Sequence, residues 1–295
     1  MTKIISTEKE LKLFIEMIKN EVINFVPTMG AFHAGHLKLI KKAKQNKGIS
    51  IVSIFVNSTQ FNENADFLNY PRNLKEDIFK LKNLNVDYAI IPEDCFLNKR
   101  FPLHVSFKKY DNILCAKDRH GHFDGVVKVM MKFLFMINPD FLFLGKKDFQ
   151  QMLIIRELID IFYFKAKIIS LETVRENDGL ALSSRNSLLS KGQRKNSVII
   201  IETLKEIKKK LKLNGILDYD FFILNKIKKL NKIDFFRIEY LELRKEKDLS
   251  TIDEVFSKCR IFICAYVNGV RLIDNISVGV VKKKNNKIYL KNNNN

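Results

Sequence analysis

The stretch "EVINFVPTMGAFHAGHLKLIKKAK", Glu21–Lys44, decides the fold. Its first part, "EVINFVP", is short, apolar and rich in β-formers. Its last part, "GHLKLIKKAK", has the apolar spacing of an amphipathic helix. Between them lies a loop with Gly30, Gly35, His33 and His36. The chain has five histidines, and two of them stand three residues apart here. A metal site, a phosphate site and a packing role each account for that. Zinc needs a third and usually a fourth ligand at compatible spacing, and His120 with His122 are the nearest offer. A phosphate explains more residues. Glycines let a backbone approach an anion, and the helix N-terminus supplies free N–H groups and a positive dipole end. No G-x-x-x-x-G-K-[ST] loop is present, so this is not the ordinary P-loop solution.

The strand–loop–helix pattern repeats outward from that stretch. "ISIVSIFV", "VDYAIIP", "DFLFLG" and "AKIISLE" read as further strands. "NLKEDIFKLKNL", "FDGVVKVMMKFLFMIN" and "DFQQMLIIRELIDIF" read as helices between them. Apolar strands without strict alternation, separated by helices, predict a doubly wound, Rossmann-like parallel sheet covered on both faces. Ligands then bind at the carboxyl ends of the strands. After Arg185 the pattern changes. "KGQRKNSVIIIETLKEIKKKLK" and "DYDFFILNKIKKLNK" read as two helices, "FFRIEYLELRK" as a strand, and Asn268-Gly269 as a hairpin turn. We expect residues 1–173 to form the Rossmann-like domain. Residues 174–295 form a smaller α+β C-terminal domain with an antiparallel sheet, its polar tail frayed. The N-terminal segment "MTKIISTEKELKLFIEMIKN" reads as an amphipathic helix and not as a secretory signal.

Composition narrows the function. The net charge of +19 invites a nucleic-acid reading, but the lysines are spread along the chain rather than gathered with aromatics on one segment. Nucleic acid is therefore not expected as a partner, nor is a membrane, since no stretch is apolar and uncharged for the ~18 or more residues of a spanning helix. The four cysteines (Cys95, Cys115, Cys259 and Cys264) form no C-x-x-C pair and read as reduced thiols. A cytoplasmic protein is the expectation.

Three further clusters carry chemistry. "VNSTQF" places Asn57 and Gln60 at a strand end, where amides orient a hydroxyl or carboxylate, or where Asn serves only the turn. "FLGKKDFQQ" follows a strand with Gly145, which permits a turn. Lys146 and Lys147 suit phosphate, Asp148 suits a helix cap or a ribose hydroxyl, and Gln151 faces the same side. "ETVRENDGLALSSRN" offers Ser183, Ser184 and Arg185 as a polyphosphate clamp or as a polar linker. "KDRHGHFDGV" is a lid or an edge of the site, and sequence does not choose between them. No residue stands out as a covalent nucleophile. The set suits activation of a carboxylate by a nucleotide.

"PTMGAFHAGHLKLI", "VSIFVNSTQF", "DFLNYPR", "HFDGVVKV", "GKKDFQQ" and "ETVRENDGLALSSRN", in this order, resemble the pantoate–β-alanine ligase family of the His-x-Gly-His nucleotidyltransferase superfamily. "EYLELR" and "RIFICAYVNGVRLIDN" resemble its C-terminal domain, which closes over the active site. The resemblance implies that ATP adenylylates pantoate and that β-alanine displaces AMP to give pantothenate. It implies magnesium carried by ATP, no tightly bound cofactor, no protein metal site, and a cytoplasmic homodimer. It assigns Met29, Gly30, Ala31, Phe32, His33, Ala34, Gly35 and His36 to ATP, with His36 as proton donor. Gly145, Lys146, Lys147, Asp148, Val174, Leu182, Ser183, Ser184 and Arg185 are further ATP residues. Gln60 and Gln151 bind pantoate, and Gln60 also binds β-alanine. Ser58, Phe32 and Leu182 depart from the usual proline, leucine and methionine without removing a polar group. A nucleotidyltransferase acting on a phosphorylated acceptor is the alternative, which would not need the paired glutamines.

Overall fold

The computed structural model describes residues 2–92, 105–213 and 215–290. Cys95 and the end of the tail, residues 291–295, lie outside the described residues; Cys115, Cys259 and Cys264 are buried and unbridged. The chain divides into two compact units: Met1–Asn112 with Arg119–Val174, and Ile113–Asp118 with Arg175–Asn295.

The first unit is a six-stranded sheet in the order β1-β4-β3-β2-β5-β6, every pair parallel. Its strands are β1 (Lys3–Ile5), β2 (Ile23–Thr28), β3 (Ile49–Ile54), β4 (Tyr88–Ile90), β5 (Phe141–Gly145) and β6 (Lys167–Leu171). The helices between them are α1 (Glu8–Met17), α2 (Ala34–Gln45), α3 (Asn64–Leu68), α4 (Leu74–Asn83), α6 (His122–Ile137) and α7 (Phe149–Ile161). The chain runs outward from β2 through β3 to β4, then returns to place β5 on the other side of β2. The order reverses between β2 and β5, and a doubly wound sheet binds its ligand at that point. Phe25, Val26, Ile51, Val52, Leu142 and Phe143 are all fully buried, which explains why these strands lack polar alternation.

The N-terminus differs from the sequence expectation of a helix alone. Lys3–Ile5 pairs with β4 at the sheet edge before α1 begins. Three residues are too few to show a period. The helix itself starts at a capping box, with Thr7 accepting the Glu10 N–H and Glu10 reaching back to the Thr7 N–H.

The second unit holds α5 (Cys115–Asp118), α8 (Lys191–Asn196), α9 (Ile199–Leu213) and α10 (Tyr219–Leu230). Its sheet has the order β7-β11-β10-β9-β8 and is antiparallel throughout. The strands are β7 (Ile216–Leu217), β8 (Phe236–Lys245), β9 (Ser257–Val267), β10 (Val270–Lys284) and β11 (Lys287–Leu290). Ile200, Leu204, Ile207 and Leu211 of α9 pack on Ile261, Ile263 and Val281. Asn268 (φ 47°) and Gly269 (φ 82°) make the two-residue turn between β9 and β10.

Two expectations for this unit are corrected. The stretch from Lys191 is two helices, not one. Ser197, buried between them, donates its hydroxyl to the Gln193 carbonyl, a local bond that competes with the helix. The tail is not frayed up to Leu290. Asn285 (φ 47°) and Asn286 (φ 56°) turn the chain, and β11 pairs with β10. Asn-Asn is turn chemistry that the surrounding lysines disguised.

Candidate functional site

β2 delivers the loop Met29–His33 to the switch point, and α2 leaves it. His33 is the N-cap of α2, its Nδ1 accepting the Gly35 N–H at 3.1 Å. That geometry needs glycine at 35, since a Cβ there would stand 2.8 Å from His33 Cε1. Gly30 (φ 81°) and Ala31 (φ 50°) are both left-handed, and a Cβ at Gly30 would stand 2.9 Å from Asp77 Oδ2.

The strained loop is held from α4. Asp77, almost wholly buried, accepts the Ala31 N–H at 2.7 Å and the Phe32 N–H at 2.8 Å. Lys80, one turn on, donates to the Phe32 carbonyl at 2.8 Å. Burial pushes the Asp77 carboxyl up, and the two N–H bonds pull against it. Sequence reading missed Asp77. It sits in the first turn of a helix beside Glu76, where acidic residues are expected for the dipole alone.

His33 and His36 stack with ring centroids 4.0 Å apart, and Phe32 meets His36 edge-on. Nδ1 of His36 is enclosed and makes no hydrogen bond among the described residues. Burial lowers the pKa of His33 to about 4, helped by the positive charge of Lys147. Burial also holds His36 well below its ordinary value, with His33, Lys147 and Lys80 adding to the effect. Both rings are therefore neutral at pH 7. Each presents one N–H and one lone pair rather than a cation.

The same charges show that β5 delivers its loop to this place. Lys147 is felt by both histidines and Asp148 by His33. Lys146 instead pairs with Glu172. Asp148 is exposed and makes no side-chain cap on α7. Gly145 is not needed for a turn, since its backbone (φ −86°, ψ 135°) suits any residue. Val174 lies over Gly35, whose Cβ would come 3.9 Å from that of Val174.

β3 brings Asn57 and Gln60. Asn57 serves the turn: it accepts the Thr59 N–H and hydroxyl and donates to the Gly125 carbonyl at 3.0 Å. Gln60 is buried, and its Nε2 donates to Met29 Sδ at 3.1 Å, tying it to the first loop. Gln151, in the first turn of α7, is partly buried and makes no side-chain hydrogen bond among the described residues.

Leu182–Arg185 belong to the second unit. There Arg175 forks onto Asp274 at 2.6 and 2.9 Å, and Ser183 caps the short 3-10 turn Ser184–Leu188 by accepting the Arg185 N–H. Among the described residues no helix is long and apolar enough to cross a membrane, and no three His, Cys, Asp or Glu side chains gather to hold a metal. The donors around α2 are N–H groups and ammonium, which suit phosphate oxygens rather than a cation.

Comparison with known proteins identifies the family. A family model described as pantoate-beta-alanine ligase matches residues 3–277. The pantothenate synthetase of Wigglesworthia glossinidia brevipalpis is 40% identical over 288 residues, 93% of this chain and 99% of that protein. That of Thermosipho africanus is 37% identical over 280 residues, 94% and 100% of the two chains. The crystal structure of pantothenate synthetase from Thermus thermophilus superposes with a TM-score of 0.86 at 30% identity, covering 94% and 100% of the two chains. Pantoate-beta-alanine ligase from Francisella tularensis, solved with beta-gamma ATP and beta-alanine, superposes at 0.78 with 34% identity, covering 94% and 98%. The chain belongs to the pantoate–β-alanine ligase family, and it is an enzyme that joins pantoate to β-alanine at the expense of ATP.

Proposed function

We propose that the ligation runs through pantoyl adenylate. A carboxylate oxygen of pantoate attacks the α-phosphorus of ATP, and the bond to the β-phosphate breaks to release pyrophosphate. The amine of β-alanine then attacks the acyl carbon. The C–O bond to phosphate breaks, AMP leaves, and the amine loses a proton. The observation that carries this reading is the N-terminus of α2 at the switch point, flanked by two neutral, stacked imidazoles and by Lys147. It is a built anion site without a nucleophile, suited to stabilising charge on phosphorus.

In this reading Met29–His36, Gly145, Lys146, Lys147, Asp148 and Val174 bind ATP. Gln60 and Gln151 bind pantoate, and Gln60 also faces β-alanine. The charge of the triphosphate opposes the burial that keeps His36 neutral, so His36 becomes a competent proton donor only with nucleotide in place. Leu182, Ser183, Ser184 and Arg185 reach the phosphates on the strength of the family resemblance. Magnesium comes with ATP as part of the substrate. The same resemblance supports a cytoplasmic location and a homodimer; sedimentation equilibrium tests the dimer directly.

Pantoate labelled with 18O in its carboxylate tests the intermediate. AMP should form only with pantoate present, and one labelled oxygen should appear in its phosphate, because the C–O bond is the one that breaks. Unlabelled AMP from labelled pantoate would overturn the adenylate.

A further inference from the structure

The stretch Lys117–Val126, "KDRHGHFDGV", has no role in the chemistry above. Two of its side chains converge on one atom. His122 Nδ1 lies 2.6 Å from the main-chain carbonyl oxygen of Gln60, and Arg119 Nη2 donates to the same oxygen at 3.1 Å. Arg119 Nη1 lies 3.1 Å from His122 Nε2. A carbonyl only accepts, so His122 carries its proton on Nδ1. Nε2 of the neutral ring is then the acceptor for Arg119. The three groups close a triangle that holds one tautomer and one ring orientation. His122 is itself more than nine-tenths buried.

The Gln60 turn is fixed from its other sides as well. Asn57 Nδ2 donates to Gln60 Oε1 at 3.3 Å, and Gln60 Nε2 reaches Met29 Sδ. Behind it stands Gly125, where a Cβ would be 2.4 Å from the Thr59 carbonyl oxygen and 2.7 Å from the Gln60 nitrogen. α6 therefore packs its first turns directly on this backbone. Ser58–Gln60 is a short 3-10 turn beyond the end of β3, and no sheet ladder holds it. Its orientation is held by these side-chain bonds together with the packing of Gly125 against it.

We infer that Arg119 and His122 are positioning residues: they hold the main chain of Gln60 so that its amide faces pantoate in one orientation. This rests on the reading of Gln60 as a pantoate contact. A displacement of about 1 Å in a substrate-positioning group costs on the order of 100-fold in rate, so a holder of that group is visible in kinetics.

The test is a double-mutant cycle on kcat/KM for pantoate with Gln60→Ala, His122→Leu and the pair. His122→Leu should lower kcat/KM for pantoate by roughly 10- to 100-fold. Affinity for a non-hydrolysable ATP analogue should stay within about 2-fold, because the bonds from Asp77, Lys80 and His33 that hold the α2 loop are untouched. The pair should be no worse than Gln60→Ala alone. His122→Asn, whose amide N–H takes the place of Nδ1–H, should recover most of the loss. Arg119→Met reads the same coupling should His122→Leu not fold. Additive losses, or a parallel fall in ATP-analogue affinity, would overturn the positioning role alone. An unchanged pantoate KM in Gln60→Ala would overturn the reading of Gln60 and the inference with it.

Discussion

Two loops of the first unit share one outline and differ in how they are held. Each leaves a parallel strand of the central pair, passes a glycine and enters a helix. In the loop after β2, Gly30 and Ala31 are left-handed, Asp77 and Lys80 hold the backbone, and His33 closes the helix start. In the loop after β5, Gly145 is extended, Asp148 makes no cap, and both lysines are half-buried, Lys146 against Glu172. The first loop is over-determined from another helix, which is how strain persists at a binding site. The second is relaxed and supplies charge. A preorganised cradle and a source of field are different devices, although the sequence writes both as glycine between strand and helix.

The contrast is open to breakage in order of effect. His36→Ala should slow formation of the adenylate by about 100-fold or more, the scale of one lost preorganised donor, read in rapid-quench kinetics. Near-normal rates would remove His36 from the cradle. Asp77→Ala leaves the Ala31 and Phe32 N–H groups without their acceptor. It should cost about 2–4 kcal/mol in urea unfolding and roughly 10- to 100-fold in kcat/KM for ATP. Wild-type stability in that variant would mean that the loop holds itself.

The pH dependence sharpens the same comparison. An unfolded histidine titrates near 6.5 and His33 in the fold near 4. Between those values the unfolded chain takes up a proton that the folded chain refuses. The contribution is whole above about pH 6.5 and is lost as pH falls toward 4. His33→Asn keeps a cap acceptor without the titration. Its stability should fall less steeply over that window, by up to about one proton, or about 1.4 kcal/mol per pH unit. Identical slopes would mean that His33 titrates normally. The smallest effect belongs to the relaxed loop. Gly145→Ala should leave stability unchanged or raise it by about 0.4–1 kcal/mol, because alanine adopts that backbone freely. A clear loss would show that the second loop is strained after all.

Much of this molecule is legible in one dimension. Buried parallel strands leave apolar runs, helices leave a period, and Asn268-Gly269 leaves a turn, because each is a local consequence of where side chains must point. The His33–His36 loop is legible for the same reason: glycines, imidazoles and the helix start are contiguous. Short or disguised elements escaped, among them β1 with its three residues and β11 behind an Asn-Asn turn. What tertiary structure alone decided is which distant groups complete the site. Asp77 looks like an ordinary first-turn acid until α4 carries it under Ala31 and Phe32. Arg119 and His122 lie about sixty residues from Gln60 and meet its carbonyl only because α6 packs on the turn after β3. Sequence records the donors and acceptors that a chain contains. The pairing of buried ones is set by burial itself, which leaves each no water to turn to and so selects the one fold that brings its partner within reach.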